Sequence, residues 1–366
     1  MSCTSAAHAG SLVAHWSAEF KKSHSFCEVN SMDQTRIPVS DAHRRAFLQA
    51  LSAAGLVGLA PGAWGQGAYP NRALKVIVPQ PPGGGFDFVA RALAERLGKP
   101  LGQSIVVENK PGSGTLVGTD AAAKADPDGY TLLLGSVSNI ALNMGLYDKL
   151  SYDSLRDFEP VGLAVSYSYT LMARKDLPFN SLKDVVAYAK ANPGKLTYAS
   201  AGNGSGQHVL AAALWHLAGV NLVHVPYRGA QAAYQDLLGG RVDLFFDLSS
   251  TARVQVNAGT VKALAVSGAE RNPMHPDVST ILESGVAQLD LESWFGYFVP
   301  KKTPADVQER LRSELAKVIA QTDLQDNFRK AGGKPLALNA EQTRALVRRD
   351  VERWTKLVRD IGIKAE

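Results

Sequence analysis

Val76-Ile-Val-Pro-Gln-Pro-Pro-Gly-Gly-Gly-Phe-Asp-Phe-Val-Ala-Arg91 and Leu196-Thr-Tyr-Ala-Ser-Ala-Gly-Asn-Gly-Ser-Gly-Gln-His-Val209 share one plan. Each runs from an apolar, strand-like stretch through glycines into a helical pattern. The first turn of a helix has backbone N–H groups without intrahelical partners, and the helix dipole adds positive character there. Such a turn at the edge of a crevice is a ready anion site. Two of them, one in each half of the chain, predict two lobes that grip a small carboxylate from opposite sides without a charged side chain.

Other glycine-loop chemistries fit poorly. A dinucleotide fingerprint needs a third glycine where Phe88 and Gln207 stand. No phosphate-loop lysine follows either run. Ser205 is preceded two positions earlier by Asn203, so the nucleophile elbow of serine hydrolases is absent.

Outward from these turns, β-branched runs alternate with helical patterns, as parallel α/β sheets require. Strands are expected at Leu74 to Val78, Ile105 to Glu108, Thr131 to Leu134, Leu196 to Ala199, Leu222 to Val225, Leu244 to Asp247 and Ala263 to Val266. Helices are expected over Asp87 to Leu97 and Val117 to Ala125, and after the capping box Ser181-Leu-Lys-Asp184. Asn192-Pro-Gly194 stops the last of these. From Pro304 to Ile361 the pattern gives two amphipathic helices, the first with Thr303 as N-cap and Pro304 at N1. The fold class is therefore α/β with two lobes, each a mostly parallel sheet flanked by helices, and the C-terminal helices pack back on the first lobe. The expected divisions are an upstream segment at 1–68, a first lobe at 69–170, a second at 171–292 and a return to the first at 293–366.

The upstream segment bears on compartment. Arg44-Arg45 precedes an apolar run from Ala46 to Ala60 and then small residues, the layout of an export signal too short for a membrane span. Arg44-Arg45-Ala-Phe-Leu resembles a twin-arginine signal, with translation starting at Met32, so the expected location is the periplasm, without a stable membrane anchor. An ordinary secretory signal is the alternative route. Both cysteines, Cys3 and Cys27, lie upstream, so the exported chain needs no disulfide. The net charge of +5 becomes +4 without residues 1–66 and is spread out, which argues against nucleic-acid binding.

A further set of ordered blocks is Tyr69-Pro, Pro82-Gly-Gly-Gly-x-Asp-x-x-Ala-Arg91, Val107-Glu-Asn-Lys-Pro-Gly112, Pro127-Asp-Gly-Tyr-Thr131, Ser200-x-Gly-x-Gly-Ser-x-x-His208, His224-Val-Pro-Tyr-Arg-Gly229 and Leu238-Gly-Gly-x-Val-Asp243. With these the sequence resembles the Bug-type periplasmic solute receptors, the substrate-binding proteins of tripartite tricarboxylate transporters. The resemblance implies a venus-flytrap receptor, monomeric and non-catalytic, that closes on a small organic acid and delivers it to a membrane permease or a sensor. It implies no cofactor and no metal. It also places the carboxylate on the loops Pro82, Gly83, Gly84, Gly85, Phe86, Asp87 and Ser200, Gly202, Gly204, Ser205, His208. Phe86 replaces a small hydroxyl residue common among relatives, which points to an apolar or aromatic portion on the ligand.

Individual residues have competing roles. Asp87 stands where an N-cap belongs and can also bond a ligand amine or water. Ser205 and His208 share a helical face; without an acidic orienter they read as ligand contacts, with a secreted hydrolase as the rival class. His208, His216 and His224 recur every eighth residue, a spacing that spreads them over a helix and a strand instead of gathering them on a metal. Tyr227 and Arg228 follow one strand, Asp247 ends another, and Ser136 and Asn139 follow a third, all positions suited to a cleft rim.

Overall fold

The computed structural model describes residues 69–365. The export-signal residues, both cysteines and Met32 lie outside that range. Strand β1 (Leu74–Val78) leads through the first glycine turn into α1 (Gly85–Leu101), followed by β2 (Ile105–Asn109), α2 (Leu116–Ala123) and β3 (Thr131–Ser136). A π-helical turn (Val137–Leu142) continues as the short helices α3 (Asn143–Leu146) and α4 (Ser154–Asp157). Then comes β4 (Phe158–Arg174), seventeen residues long and buried along nearly its whole length.

The second half comprises α5 (Leu182–Ala191), β5 (Thr197–Ser200), α6 (Gly206–Leu217), β6 (Val223–Pro226), α7 (Ala230–Leu238), β7 (Leu244–Leu248), α8 (Ser249–Asn257) and β8 (Val261–Val266). The chain returns through β9 (Glu292–Pro300) to α9 (Ala305–Ile319), α10 (Thr322–Lys330), β10 (Gly333–Pro335) and α11 (Ala340–Asp360).

Strand β4 organises both halves. Its residues Phe158 to Ser168 pair antiparallel with β9, which pairs in turn with β3, and β3 is followed by the parallel strands β1 and β2. From Tyr169 to Arg174 it pairs instead with β7 and β8, and β7 continues into parallel β5 and β6. Each half is thus a parallel α/β layer closed by antiparallel strands. The change of partner at Ser168/Tyr169 makes one strand common to both sheets.

Seven expected strands are present. Three others, β4, β9 and β10, were not anticipated. Helix α5 is capped as expected by Ser181 with Asp184 reaching back, and its C-cap is Asn192. The C-terminal region holds three helices among the described residues instead of two. The first begins one residue later than read: Pro304 is its N-cap, and the Thr303 hydroxyl turns away to donate to the Pro300 carbonyl at 2.8 Å. Helix α11 packs on the π-helical turn and α3, and α9 packs on β4 and α1, so the C-terminal helices do close on the first lobe.

Candidate functional site in the cleft

Each glycine turn packs against the opposite half of the molecule across a cleft. From the second half, Gln231 Nε2 donates to the Gly83 carbonyl at 3.0 Å, and the Gly206 N–H donates to Ser138 Oγ at 3.1 Å. Two glycines make this approach possible. A Cβ on Gly206 would lie 2.1 Å from the Tyr169 hydroxyl and 2.7 Å from Ser138 Oγ. One on Gly85 would lie 2.4 Å from Leu248 and 3.2 Å from Ser250 Oγ. The N-termini of α1, α6 and α8 therefore converge on the cleft. Those of α1 and α8 have no side-chain cap.

The first turn is braced by its own carboxylate. The N-cap is Gly84, which puts Asp87 inside the first helical turn and corrects its expected N-cap position. Asp87 Oδ2 accepts from the Gly83 N–H at 3.1 Å and Arg91 Nε at 2.9 Å, and Oδ1 accepts from Asn109 Nδ2 at 3.2 Å. Burial pushes this carboxyl up, but the donors more than offset it and hold it below the usual range. Phe86 turns into the core, edge-on to Phe295 at 5.0 Å between centroids. Its ring therefore gives no ground for an aromatic ligand. Pro82 and Gly83 remain exposed at the rim.

The second turn rests on an aromatic stack. Ser205 is the N-cap of α6, its buried hydroxyl accepting from the His208 N–H at 3.3 Å. His208 Nδ1 accepts from the Gly204 N–H at 3.2 Å, and Ser200 Oγ lies 2.7 Å from His224 Nε2. The rings of His208 and His224 stack at 4.1 Å, and His224 stacks in turn on Tyr198. The histidines are spread over a helix and a strand as expected, His208 and His216 on α6 and His224 on β6, and two of them meet in this stack. Burial lowers His208 to about 4, and burial with the neighbouring ring lowers His224 to about 3. Both are neutral at ordinary pH. The Ser205 hydroxyl is engaged as a cap, and the paired ring nitrogen serves Gly204, so the two residues hold a loop and do not form a nucleophile–base pair. Among the described residues no three His, Cys, Asp or Glu side chains form a metal-binding group.

Ser136 and Asn139, expected at the rim, are fully buried and cap the π-helical turn. Asn139 Oδ1 accepts from the Ser136 N–H at 2.7 Å, and Ser136 Oγ accepts from the Ser138 N–H at 3.1 Å. They present Ser138, a residue the sequence reading passed over. Asp247 is likewise internal: Gln207 donates to Oδ1 at 3.1 Å, while Tyr234 and Thr251 donate to Oδ2. Burial raises its carboxyl against those donors. Tyr227 donates to Asp236 at 2.8 Å and with exposed Arg228 and Gly202 lines one mouth of the cleft, a cavity of about 730 Å³.

Several buried polar atoms near the cleft have no protein partner: Gln80 Nε2, the Tyr167 hydroxyl, Thr170 Oγ1, Ser250 Oγ and Arg253 Nε. Ser250 was legible in principle, since Ser249-Ser-Thr follows directly on a strand end. Tyr167 and Thr170 had no such signal inside a long apolar run.

A fold with helix N-termini and neutral donors around an interlobe cleft fits many receptors, and the sequence decides among them. Residues 89–363 match the tripartite tricarboxylate transporter family receptor. The chain belongs to this family. Among solved structures, the periplasmic binding protein BugD is 37% identical with a TM-score of 0.77, over 81% of this chain and 99% of that one. Rpa4515 of R. palustris, solved with adipate, is 31% identical with a TM-score of 0.77, over 81% and 99%. MatC of Rhodopseudomonas palustris, with bound malate, is 32% identical with a TM-score of 0.75, over 79% and 100%. As a member of the family this chain is a non-catalytic periplasmic solute receptor. No described helix is long and apolar enough to cross a membrane.

Proposed function

We propose that this receptor captures a small organic carboxylate between two lobes that meet where β4 changes partners, and hands it to the membrane permease of a tripartite transporter. The lobes correspond to residues 69–170 with 293–366, and to 171–292. The carrying observation is the convergence of the α1, α6 and α8 N-termini on buried hydroxyl and amide groups that lack partners. Backbone N–H groups around Gly84 and Gly85 supply neutral donors, while the Gly206 N–H, donated to Ser138, fixes the second turn. Gly83, Ser200, Gly202, Gly204, Ser205 and His208 hold those donors in place. Pro82, Tyr227 and Arg228 form the rim. Asp87, Asp247, Ser136 and Asn139 act one step back, through the loops they brace. Adipate and malate in the two relatives support the ligand class.

A panel of short organic acids screened by thermal shift, followed by calorimetry on the best acid and its methyl ester, tests this reading. The acid should bind and its ester should lose most of the affinity, whereas moderate salt should matter little because a buried contact is weakly screened. Equal affinities would overturn the carboxylate assignment.

A further inference from the structure

At the mouth of the cleft lined by Tyr227 and Arg228, the tip of the second glycine turn, Gly202 to Ser205, seats against three segments of the first half. The loop Gly112-Ser113-Gly114 is one. A Cβ on Gly114 would run into the Asn203 carbonyl oxygen and lie 3.2 Å from the Ser205 nitrogen, and one on Gly202 would come within 3.5 Å of the Gly114 Cα. The end of α3 and the segment that follows α11 are the others: a Cβ on Gly204 would meet the Tyr147 hydroxyl at 3.2 Å, Leu146 at 3.5 Å and the Ala365 methyl at 3.1 Å. All three segments are fixed within their own half. Ser113 has a φ of 43°, the one positive value outside glycine among the described residues, and a loop so strained persists only where its surroundings over-determine it. Its carbonyl accepts from the Thr115 N–H at 2.8 Å, the Leu116 N–H at 3.1 Å and the Tyr147 hydroxyl at 3.2 Å. After α11, the Ile363 N–H donates to the Val358 carbonyl at 3.2 Å and the Ala365 N–H to the Leu146 carbonyl at 3.4 Å, while Lys364 pairs with Asp148 at 2.9 Å.

We propose that this socket is a latch: the loop Gly112-Ser113-Gly114 and the strap after α11 hold the tip of the second turn and so set how fast a captured acid leaves. This rests on the capture reading above and adds a control of residence time by residues outside the two glycine turns. Within its own half the turn is already shaped, by His208 on the Gly204 N–H and by Ser200 Oγ on the Gly202 carbonyl. The socket works on its outer side. Glycine at 114 and 204 lets backbone meet the opposite half directly, so a close-packed contact forms with no long side chain to order. Encounter with an acid takes place while the halves are apart, whereas release requires them to part. A contact made only where the halves meet therefore slows release and leaves association alone.

The test is stopped-flow kinetics with malate, adipate and the best acid of the thermal-shift panel, on the full receptor, on Gly114→Ala, on a chain ending at Ile361 and on Glu159→Gln. In Gly114→Ala the left-handed backbone, φ 69°, weakens the first half whether or not the halves meet, so that cost cancels from affinity; the clash with Asn203 does not. Release should quicken by roughly tenfold, as overpacking of a close contact implies, with association near the wild-type rate. The shortened chain loses the Ala365 wall and should release about threefold faster, in line with one methyl contact removed. Glu159→Gln loses stability away from the socket and should release acid as the wild type does, which separates a latch from a general weakening of the fold. Should Gly114→Ala fail to fold, the shortened chain still decides. Wild-type release from both altered sockets, or release quickened equally in Glu159→Gln, would overturn the latch and leave capture standing. If no acid binds the wild type, both fall.

Discussion

The His208–His224 stack shows how much of the second glycine turn depends on protonation. Each imidazole uses a ring nitrogen to hold the loop, one at the Gly204 N–H and one at the Ser200 hydroxyl, and each is neutral in the folded protein. Above the ordinary histidine value of 6.5, both are neutral in folded and unfolded states and contribute no pH dependence. As pH falls below it, the unfolded chain takes up protons that the folded protein refuses until about pH 4 for His208 and about 3 for His224. Stability therefore declines on acidification through this window, by up to about 1.4 kcal/mol per pH unit for each histidine. Asp247 acts in the opposite sense, because its raised carboxyl contributes stability that is lost as pH rises above 3.8. A difference measurement separates them. Urea unfolding of wild type and His208→Gln at pH 7.5 and pH 5 should show the wild type losing more stability between the two pH values; parallel losses would mean that His208 titrates normally.

At the scale of elements, the parallel strands were legible because each is a short β-branched run bounded by turn residues. Strands β4 and β9 were not, for a physical reason: buried on both faces over Phe158 to Ala173, β4 has no alternation to distinguish it from any other apolar run. The site was legible in its backbone parts, the glycines, and illegible where function depends on which way a side chain turns. Phe86 entered the core, and Ser136 and Asn139 capped a turn, while Ser138 and Arg253 reached the cleft from positions that no motif marked. One polar exception in β4 does have a clear role. Glu159, 4% exposed, accepts from Arg312 of α9 at 2.8 Å and Arg344 of α11 at 2.6 Å, and pairs with Lys301 after β9. It ties the C-terminal helices to the first sheet. Its burial pushes the carboxyl up, but Lys301 and Arg344 hold it below the usual range, so its contribution is present above 4.5 and is lost as pH falls. Glu159→Gln leaves three cations together. Because Lys301 and Arg344 are about half exposed, the cost should be about 2–3 kcal/mol, less than for a wholly buried pair. Chemical denaturation should register that loss while ligand affinity stays unchanged; a loss of affinity would show that the C-terminal helices also shape the cleft.

For the whole molecule the decisive step is closure, because a permease can tell loaded from empty receptors only if the two states differ in shape. The contacts between halves along the cleft include Gly206 to Ser138, Gln231 to Gly83, and Gly85 against Leu248 and Ser250. Gly206 is the most exacting of these. It lies within the first turn of α6, where the better helix propensity of alanine offsets part of the crowding against Tyr169, so Gly206→Ala should fold with a modest loss of stability. Its methyl group would press on the Tyr169 hydroxyl within its own half and on Ser138 across the cleft. The expected result is a modest downward shift of the thermal unfolding curve without ligand, together with affinity lower by several-fold to about tenfold, as one lost neutral hydrogen bond of about 1 kcal/mol requires. Small-angle scattering should show the wild type contracting on saturation with its best acid and Gly206→Ala remaining expanded at the same occupancy. If the variant contracts fully and binds like the wild type, then the approach of α6 to Ser138 is not part of the grip, and capture depends on the first glycine turn alone.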